Sequence, residues 1–382
     1  SQAAVDAMLP FLRESYGNPS SLYTLGQKAA ESLQASRETM AKYLGCDARE
    51  ITFTSGGSEA DNQALLTAAT LGARKGKKHI ISTAFEHHAI LHSLKRLEKQ
   101  GFEVTLLDVH ENGLVTAQQV ADAIREDTCL VTVMYANNEI GTIQPIAEIG
   151  AVCRERGVLF HTDAVQAAGH LPINVREQNI DMLSLSAHKF HGPKGVGLLY
   201  ARKGIFLTNL IEGGAQERGK RAGTENVGGI AGMAAAFREA CEHMDENIAK
   251  VTALRDKLID GLSKIPHCAL NGDREHRLPG NVNFCFEGIE GESMLLLLDG
   301  KGICASSGSA CTSGSLDPSH VLLAIGRPHE VAHGSLRLTL CESNTEAEID
   351  HILACVPEIV AYLRGMSPVW RDLVEGKKSF IL

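Results

Sequence analysis

No apolar run in this sequence is long enough to cross a membrane. Its longest uninterrupted stretch of large aliphatic residues covers positions 294–298, whereas a spanning helix needs about 20 apolar residues. The start also lacks a basic segment followed by an apolar one, which argues against a secretory signal. We therefore expect a soluble, cytoplasmic protein, and because the chain begins with Ser1 rather than Met, we expect it to have been trimmed.

A concentrated positive charge is missing as well. The chain has 37 basic and 46 acidic residues, a formal net charge of −9, and no face rich in lysine or arginine. Proteins that bind nucleic acid electrostatically need such a face, so we expect no nucleic-acid partner.

Paired cysteines at metal or redox spacing are absent, although the chain has ten cysteines. Most lie in apolar stretches, as Cys129 and Cys285 do, which is typical of buried thiols in a reducing compartment. Cys311 differs because residues 305–315 contain nothing larger than Thr or Cys. We expect that segment to be exposed and mobile, with a thiol suited to attack a sulfur atom.

What the sequence does contain is the composition of a globular protein, 44% hydrophobic and 22% charged over 382 residues, which suits two domains. Strand-like runs alternate with helical stretches between about residues 50 and 202, and they cover 51–55, 79–83, 103–109, 130–136, 158–164, 181–187 and 196–201. This pattern predicts an α/β domain with a mostly parallel seven-stranded sheet covered by helices, antiparallel where the last two runs pair.

The domain limits follow from a change in this pattern. A long helical pattern over 230–265 predicts a connecting helix, and strands and helices after it predict a smaller α+β domain. We place the large domain at 13–246 and the small domain at 247–382, with an amphipathic helix at 1–12 packed on the small domain.

Four features of the large domain fall where predicted strands end, which is where such sheets bind ligands. The turn at 54–59 contains Gly57 and Ser58 and precedes a helix, so it suits a single phosphate, or else it is an ordinary capped turn. Asp163 and Lys189 each follow an apolar strand, and His87 lies at a strand-to-helix junction.

A phosphate cradle, a buried acid, a reactive lysine and a stacking ring are together what pyridoxal 5'-phosphate requires. Other sites fit less well. His87 and His88 are adjacent rather than at metal-ligand spacing, and the sequence contains neither a G-x-S-x-G elbow nor a dinucleotide or triphosphate glycine motif.

The chain resembles the cysteine desulfurases of the nitrogen-fixation type, which are class V aminotransferase-like, fold-type I pyridoxal phosphate enzymes. The resemblance is carried by YGNPSSL (16–22), FTSGGSEADN (53–62), FEHHAI (85–90), ANNEIG (136–141), HTDAVQ (161–166), SAHKFHGPKGVG (186–197), ERGKRAGTEN (217–226), ASSGSACTSGSLDPSHV (305–321) and AHGSLRLTL (332–340). It implies conversion of L-cysteine to L-alanine, with the sulfur passed to an enzyme cysteine and then to an iron–sulfur scaffold protein or another acceptor.

The resemblance also implies a role for each matching residue. Lys189 resembles the lysine that holds the cofactor, His87 the stacking and proton-shuttling histidine, and Cys311 the sulfur acceptor. Cofactor-binding residues implied in the same way are Gly57, Ser58, Asn138, Asp163, Gln166, Ser186, His188 and Thr224, with Thr224 donated by the other subunit of a homodimer. Arg337 resembles the arginine that binds the substrate carboxylate, assisted by Asn18 and Asn138.

Some positions depart from the family pattern, and other functions share the fold. Gly57-Ser58 stands where Ala-Thr is common, and the usual opening strand does not precede the first helix. A selenocysteine lyase, an aminotransferase and a non-enzymatic sulfur-delivery subunit are the alternatives. No resident metal is predicted, apart from an iron–sulfur cluster held transiently by Cys311 and a partner.

Overall fold

The computed structural model describes residues 1–308 and 318–382. Within them the chain forms two compact units. Unit 1 comprises Ser1–Leu107, Thr116–Tyr135 and Gln144–Met244, and unit 2 comprises Asp108–Val115, Ala136–Ile143 and Asp245–Leu382. The division predicted from the sequence at residue 246 assigned the two short early segments of unit 2 to the large domain.

Unit 1 is built on a seven-stranded sheet in the order β1-β7-β6-β5-β4-β2-β3. Its strands are β1 (Ile51–Thr54), β2 (His79–Thr83), β3 (Glu103–Leu107), β4 (Thr128–Thr132), β5 (Leu159–Asp163), β6 (Met182–Ser186) and β7 (Gly197–Ala201). Strand β7 pairs antiparallel with both of its neighbours, and the other four neighbouring pairs are parallel. The predicted fold class is confirmed, including the antiparallel pairing of the last two runs.

Helices cover this sheet and account for the apolar character of its strands. They are α1 (Gln2–Arg13), α2 (Thr24–Leu44), α3 (Gly57–Ala73), α4 (His88–Glu98), α5 (Ala117–Ala123), α6 (Ile146–Arg156), the short turn α7 (Gln216–Gly219) and α8 (Val227–Glu242). All residues of β1, β2, β4, β6 and β7 are buried, as expected for strands covered on both faces. The edge strand β3 is partly exposed.

The N-terminal helix lies in unit 1, and the prediction that it packs on the small domain is wrong. Helix α1 packs on α8. A Cβ atom at Gly232 would lie 2.6 Å from Cγ of Met8, so this glycine permits the close approach of the two helices. Ala4 is buried at this contact and Met8 is half-buried, whereas Leu12 is exposed. The sequence pattern did not reveal that small residues of α8 would receive this helix.

The predicted connecting helix over 230–265 is two helices, α8 and α9 (Met244–Leu262). His243 ends α8 with φ −106° and ψ 12°, and its backbone N–H donates to the carbonyl of Glu239. The prediction of one continuous helix is therefore wrong. The apolar periodicity of the sequence continues through His243, but the backbone leaves the helical conformation there.

Unit 2 has a three-stranded antiparallel sheet in the order β10-β9-β8. Its strands are β8 (Cys268–Leu270), β9 (Asn281–Phe286) and β10 (Ser335–Thr339), and its further helices are α10 (Gly291–Asp299), α11 (His320–Ala324), α12 (His329–Ala332), α13 (Glu346–Met366) and α14 (Pro368–Val374). Buried side chains of α9, α10, α13 and the sheet form one apolar core, which includes Leu258, Phe284 and Val356.

Among the described residues, none of the helices taken singly is both long and apolar enough to cross a membrane. Helices α13 and α14 meet the length and composition test only as a pair, and they are bent by 86° at their junction.

Candidate active site

One edge of the unit 1 sheet collects most of the predicted site residues. Strands β1, β6, β5, β4 and β2 all end at this edge, and β7 begins there, because β7 alone runs opposite to its neighbours. Side chains that follow the ends of parallel strands are held by a rigid frame, which is why such edges carry ligand sites in α/β proteins.

Asp163 is the last residue of β5 and is only 5% exposed. Its Oδ1 accepts a hydrogen bond from the N–H of Val165 at 2.9 Å. Burial raises the pKa of Asp163 to about 6, although the Val165 N–H and the charge of Lys189 act in the opposite direction. The carboxylate is therefore in a place where a cationic partner would stabilise it strongly.

Lys189 lies in a 3₁₀ turn, Ala187–Phe190, directly after β6. Strands β5 and β6 are neighbouring and parallel, and Asp163 is paired with Ser184, three residues before the turn begins. The backbone carbonyl of Lys189 accepts a hydrogen bond from His170 Nε2 at 2.8 Å, which fixes the turn. The structure thus brings the predicted lysine and the predicted acid together, as the lowering effect of Lys189 on the pKa of Asp163 indicates.

The glycine turn after β1 opens helix α3, which is 17 residues long. Gly56 has φ 155°, and no side chain caps the first turn of the helix. A Cβ atom on Gly57 would lie 2.6 Å from Cγ2 of Val165, so position 57 has room for glycine only while Val165 keeps its place. The turn leaves backbone N–H groups at a helix N-terminus available to an anion.

Two polar side chains lie near this turn. Ser186, at the end of β6, forms a hydrogen bond of 2.9 Å between its Oγ and Nδ1 of His188. Burial lowers the pKa of His188, and the charge of Lys189 lowers it further. Ser58 is exposed in the first turn of α3.

His87 is the N-cap of α4, and its Nδ1 accepts from the N–H of Ala89 at 3.1 Å. A neutral His87 therefore carries its proton on Nε2. His88 stacks on His92, one turn along the helix, with 5.1 Å between the ring centroids.

Three more predicted residues lie in unit 1. Gln166 is half-buried, just after Asp163. Thr224 is exposed and lines a cavity of about 230 Å³ together with Thr54 and Ser55 of the same chain. Asn18 is exposed, and its Oδ1 accepts from the N–H of Ser20 within the turn before α2, so its observed contact is local.

Unit 2 holds the rest. Arg337 lies on β10, and its Nη1 donates to the backbone carbonyl of Asn138 at 3.0 Å, so these two predicted residues meet. Cys311 lies outside the described residues.

The sequence reasoning missed a layer of buried ionisable groups near Asp163. Asp61, Glu86 and His161 are each at most 1% exposed, and Oδ1 of Asp61 lies 3.7 Å from Nε2 of His161. Burial raises the pKa of Glu86 to about 8 and lowers that of His161 to about 3. Burial also raises the pKa of Asp61, and the charge of Asp163 adds to the effect.

One signal for this layer was present in the sequence. His161 and Asp163 are two residues apart on a strand, and residues at that spacing share a face of the sheet. Asp61 and Glu86 gave no comparable signal, because their proximity depends on how α3 and the segment after β2 pack.

Comparisons with known proteins agree with this arrangement. The family model described as aminotransferase class-V matches residues 1–352. A Clostridium botulinum protein (strain Hall) named cysteine desulfurase IscS is 55% identical over 378 residues, which cover 98% of this chain and 95% of that protein. A protein of the same name from Methanosarcina thermophila is 54% identical over 365 residues, covering 96% and 90% respectively.

Solved structures show the same likeness. A structure titled NifS-like protein is 39% identical with a TM-score of 0.89, and the match covers 95% of this chain and 96% of that one. The chain belongs to the class-V aminotransferase family. Within that family it groups with the cysteine desulfurases of the IscS and NifS-like type, and it is accordingly a pyridoxal phosphate-dependent enzyme.

The residues of unit 1 fit that cofactor. A protonated ring nitrogen is the cationic partner that the buried Asp163 carboxylate requires, and Lys189 offers an amine beside it. The uncapped start of α3 offers N–H groups to a phosphate.

Proposed function

We propose that this protein converts L-cysteine to L-alanine and accepts the sulfur on Cys311. The observation that carries the proposal is the close placing of the buried Asp163 carboxylate and the Lys189 amine at two neighbouring strand ends. The high identity to proteins named cysteine desulfurase supports the choice of substrate.

When bound, pyridoxal phosphate supplies an aldehyde that condenses with amines and a ring that accepts the electron pair released at Cα. Asp163 would hold the proton on the ring nitrogen. The Lys189 amine would hold the aldehyde and would carry the Cα proton, while the His87 ring would stack on the cofactor ring and its Nε2 would assist that proton transfer. Gly57, Ser58, Ser186, His188 and Thr224 would hold the phosphate, and Asn138 and Gln166 would contact the phenolate oxygen.

Arg337 binds the substrate carboxylate, with Asn18 and Asn138 assisting. The Cys311 thiolate attacks the substrate sulfur, so the S–S bond of an enzyme persulfide forms while the C–S bond breaks and its electron pair stays with carbon. A proton taken up at that carbon completes L-alanine. The overall exchange of one thiol and L-cysteine for one persulfide and L-alanine is balanced and needs no added oxidant.

The biological setting is part of the same proposal. We infer a cytoplasmic homodimer that passes sulfur to an iron–sulfur scaffold protein or another acceptor, with supply for nitrogen fixation as one such use. The nine cysteines among the described residues are all free, which supports a reducing compartment.

The first test compares wild type with Cys311→Ala and with Cys304→Ala, a control thiol seven residues earlier that is exposed and free. We expect Cys311→Ala to keep the cofactor absorbance but to lose alanine release from L-cysteine by roughly a hundredfold or more, as removal of a nucleophile does. Cys304→Ala should retain both.

Alanine released at the wild-type rate by Cys311→Ala would contradict sulfur transfer to Cys311 and would favour a lyase of the selenocysteine type. Cofactor converted to its amine form by wild type, without persulfide, would instead indicate an aminotransferase. The first outcome is read by assay of released alanine, and the second by mass spectrometry of the intact chain together with the cofactor spectrum.

A further inference from the structure

The first turn of α3 holds an acid where the cofactor phosphate is proposed to bind. Glu59 is the third residue of this helix, and its side chain is 8% exposed. A carboxylate there is attracted by the partial positive charge of the helix N-terminus, which is also what attracts a phosphate. Two anions would therefore compete for one end of the helix unless the charge of one of them is neutralised.

Glu59 holds the glycine turn through its own hydrogen bonds. Its Oε2 accepts from the backbone N–H of Ser55 at 2.8 Å and from Oγ of Ser55 at 2.5 Å. Ser55 directly precedes Gly56, the N-cap of the helix. The carboxylate thus fixes the backbone that would receive the phosphate, which an apolar side chain at position 59 could not do.

Arg221 neutralises this carboxylate. Nε of Arg221 donates to Oε1 of Glu59 at 2.9 Å, and its Nη2 donates to Oε2 at 3.3 Å, so the guanidinium contacts both oxygens. Burial of Glu59 acts to raise its pKa, but the hydrogen bonds from Arg221 and Ser55 outweigh burial and lower the pKa below its ordinary value. Glu59 is therefore ionised at neutral pH, and Arg221 compensates its charge.

The ion pair also joins α3 to the segment that contains Thr224. Gln63, one turn further along α3, donates from Nε2 to the backbone carbonyl of Lys220 at 2.9 Å. Residues four apart share one face of a helix, so Glu59 and Gln63 together hold the consecutive residues Lys220 and Arg221. Arg221 and Thr224 both line the cavity of about 230 Å³ next to the glycine turn. The pair thus links two stretches of chain to which phosphate binding is assigned.

We propose that Arg221 is a positioning residue for the cofactor phosphate, which neutralises Glu59 so that the turn held by Glu59 can also receive an anion. This inference rests on the proposed function, since it concerns the phosphate site named there. A phosphate ester carries nearly two negative charges at neutral pH, so an uncompensated carboxylate in the same turn weakens its binding. Arg221 acts on the phosphate through Glu59, unlike the residues that would hold the phosphate directly.

The test measures equilibrium binding of pyridoxal 5'-phosphate, and of pyridoxal, to the whole chain freed of cofactor. Pyridoxal lacks the phosphate, so the ratio of the two affinities separates the phosphate contribution from a general loss of structure. The variants are Arg221→Met, Arg221→Lys, Glu59→Gln and the double variant of Arg221→Met with Glu59→Gln.

Arg202→Met is the matched control. Nε of Arg202 donates to Oδ1 of Asp181 at 2.6 Å, and the buried Asp181 carboxylate also accepts from the backbone N–H of Phe160. This pair resembles the pair of Arg221 and Glu59 in its contacts, but it lies at the opposite edge of the sheet, where β6 begins and β7 ends. Its loss should leave the ratio of the two affinities unchanged.

We expect Arg221→Met to weaken binding of pyridoxal 5'-phosphate about tenfold and binding of pyridoxal by less than about twofold, because the uncompensated charge acts on the phosphate. Arg221→Lys keeps a cation and should stay within about threefold of wild type for both ligands. Glu59→Gln should bind pyridoxal 5'-phosphate at least as tightly as wild type, since it removes an acid and leaves the cation. The double variant should recover most of the tenfold loss, because it contains no unpaired carboxylate.

An equal loss for both ligands in Arg221→Met would contradict the proposal, because it would indicate a loss of structure alone. A double variant as weak as Arg221→Met would also overturn it, since Arg221 would then act without Glu59. Weaker binding of pyridoxal 5'-phosphate by Glu59→Gln would show that the acid supports phosphate binding instead of opposing it. A wild type that binds the two ligands equally would refute the phosphate site of the proposed function, and this inference with it.

Discussion

Asp163 does not titrate alone, because two other carboxyl groups are buried near it. The charge of Asp163 raises the pKa values of both Asp61 and Glu86, in addition to the larger effect of burial on each. A layer with several carboxyl groups and little water favours neutral acids wherever no cation is present. The proton count of this layer is therefore linked to the charge on Asp163, the group we assign to the cofactor ring nitrogen.

Glu86 provides a direct test of that linkage. Its pKa is about 8 in the folded chain, against an ordinary value of about 4.5. The raised value means that Glu86 contributes stability that is complete below about pH 4.5 and is lost as the pH rises to about 8. Glu86→Gln cannot ionise, so its free energy of unfolding relative to wild type should rise by about 1 kcal/mol per pH unit within that window.

Urea denaturation at several pH values, with equal cofactor loading, measures this difference. Glu148→Gln, at an exposed position on α6, is the control for removal of a carboxyl group as such. A Glu86→Gln curve parallel to wild type between pH 5 and 8 would show that Glu86 stays ionised when folded. Asp163 and Asp61 remain in both proteins, and any change in their titration on loss of the Glu86 charge is part of the linkage that the comparison measures.

Residue types at strand ends were readable from the sequence, but their neighbours were not. Apolar runs located β5 and β6, so Asp163 and Lys189 were expected at their ends, and the structure brings them together. The reason for glycine at position 57 was not readable. It depends on Val165, which is more than a hundred residues away in the chain and occupies the space that a Cβ atom would need.

At the scale of elements, a buried ion pair ties the segment that contains Thr224 to the sheet. Nη1 and Nη2 of Arg37 on α2 donate to the carboxylate of Glu217 at 2.8 and 2.7 Å, and Glu217 also accepts from the N–H of Phe53 at 2.9 Å. Glu217 and Arg218 have positive φ values of 48° and 59°. Such backbone strain persists only where other contacts determine the conformation.

Arg37→Met should therefore destabilise the protein by about 3–5 kcal/mol, since it leaves the Glu217 carboxylate buried without its cation. Adding Glu217→Gln to that variant should restore part of the loss, because the double variant buries no unpaired charge. Chemical denaturation of the two single variants and the double variant measures the coupling. Arg125→Met, which breaks an exposed pair with Glu103, should be nearly neutral.

Additive losses in that cycle would mean that the ion pair does not hold the segment.

Sequence patterns could not have indicated this pair. Arg37 and Glu217 are separated by 180 positions, and each lies in a polar stretch that is equally typical of a solvent-exposed surface.

At the scale of the whole molecule, Thr224 has two possible sites of action. Within one chain it lines a cavity of about 230 Å³ with Thr54 and Ser55, next to the glycine turn. The resemblance to desulfurases instead implies that each phosphate receives the threonine of the partner subunit. The first arrangement needs one chain, whereas the second makes every site depend on two chains.

Mixing two variants, each with a different defect in cofactor binding, distinguishes these arrangements. Thr224→Ala should weaken cofactor affinity about tenfold, since it removes one hydrogen bond to a charged phosphate, and Lys189→Ala should abolish covalent attachment of the cofactor.

If Thr224 acts across the dimer, a mixed dimer has one complete site, built from the intact lysine of one chain and the partner subunit's Thr224. Random mixing should then restore about a quarter of all sites. The restored sites are measured as cofactor that binds at a low cofactor concentration and is then fixed covalently to the chain by borohydride. If Thr224 acts within its own chain, no mixed dimer has a complete site, and the mixture should bind no more than the average of its components. Light scattering on each sample tests for dimers. Where dimers are present, a failure to restore sites counts against transfer of Thr224 and not against association.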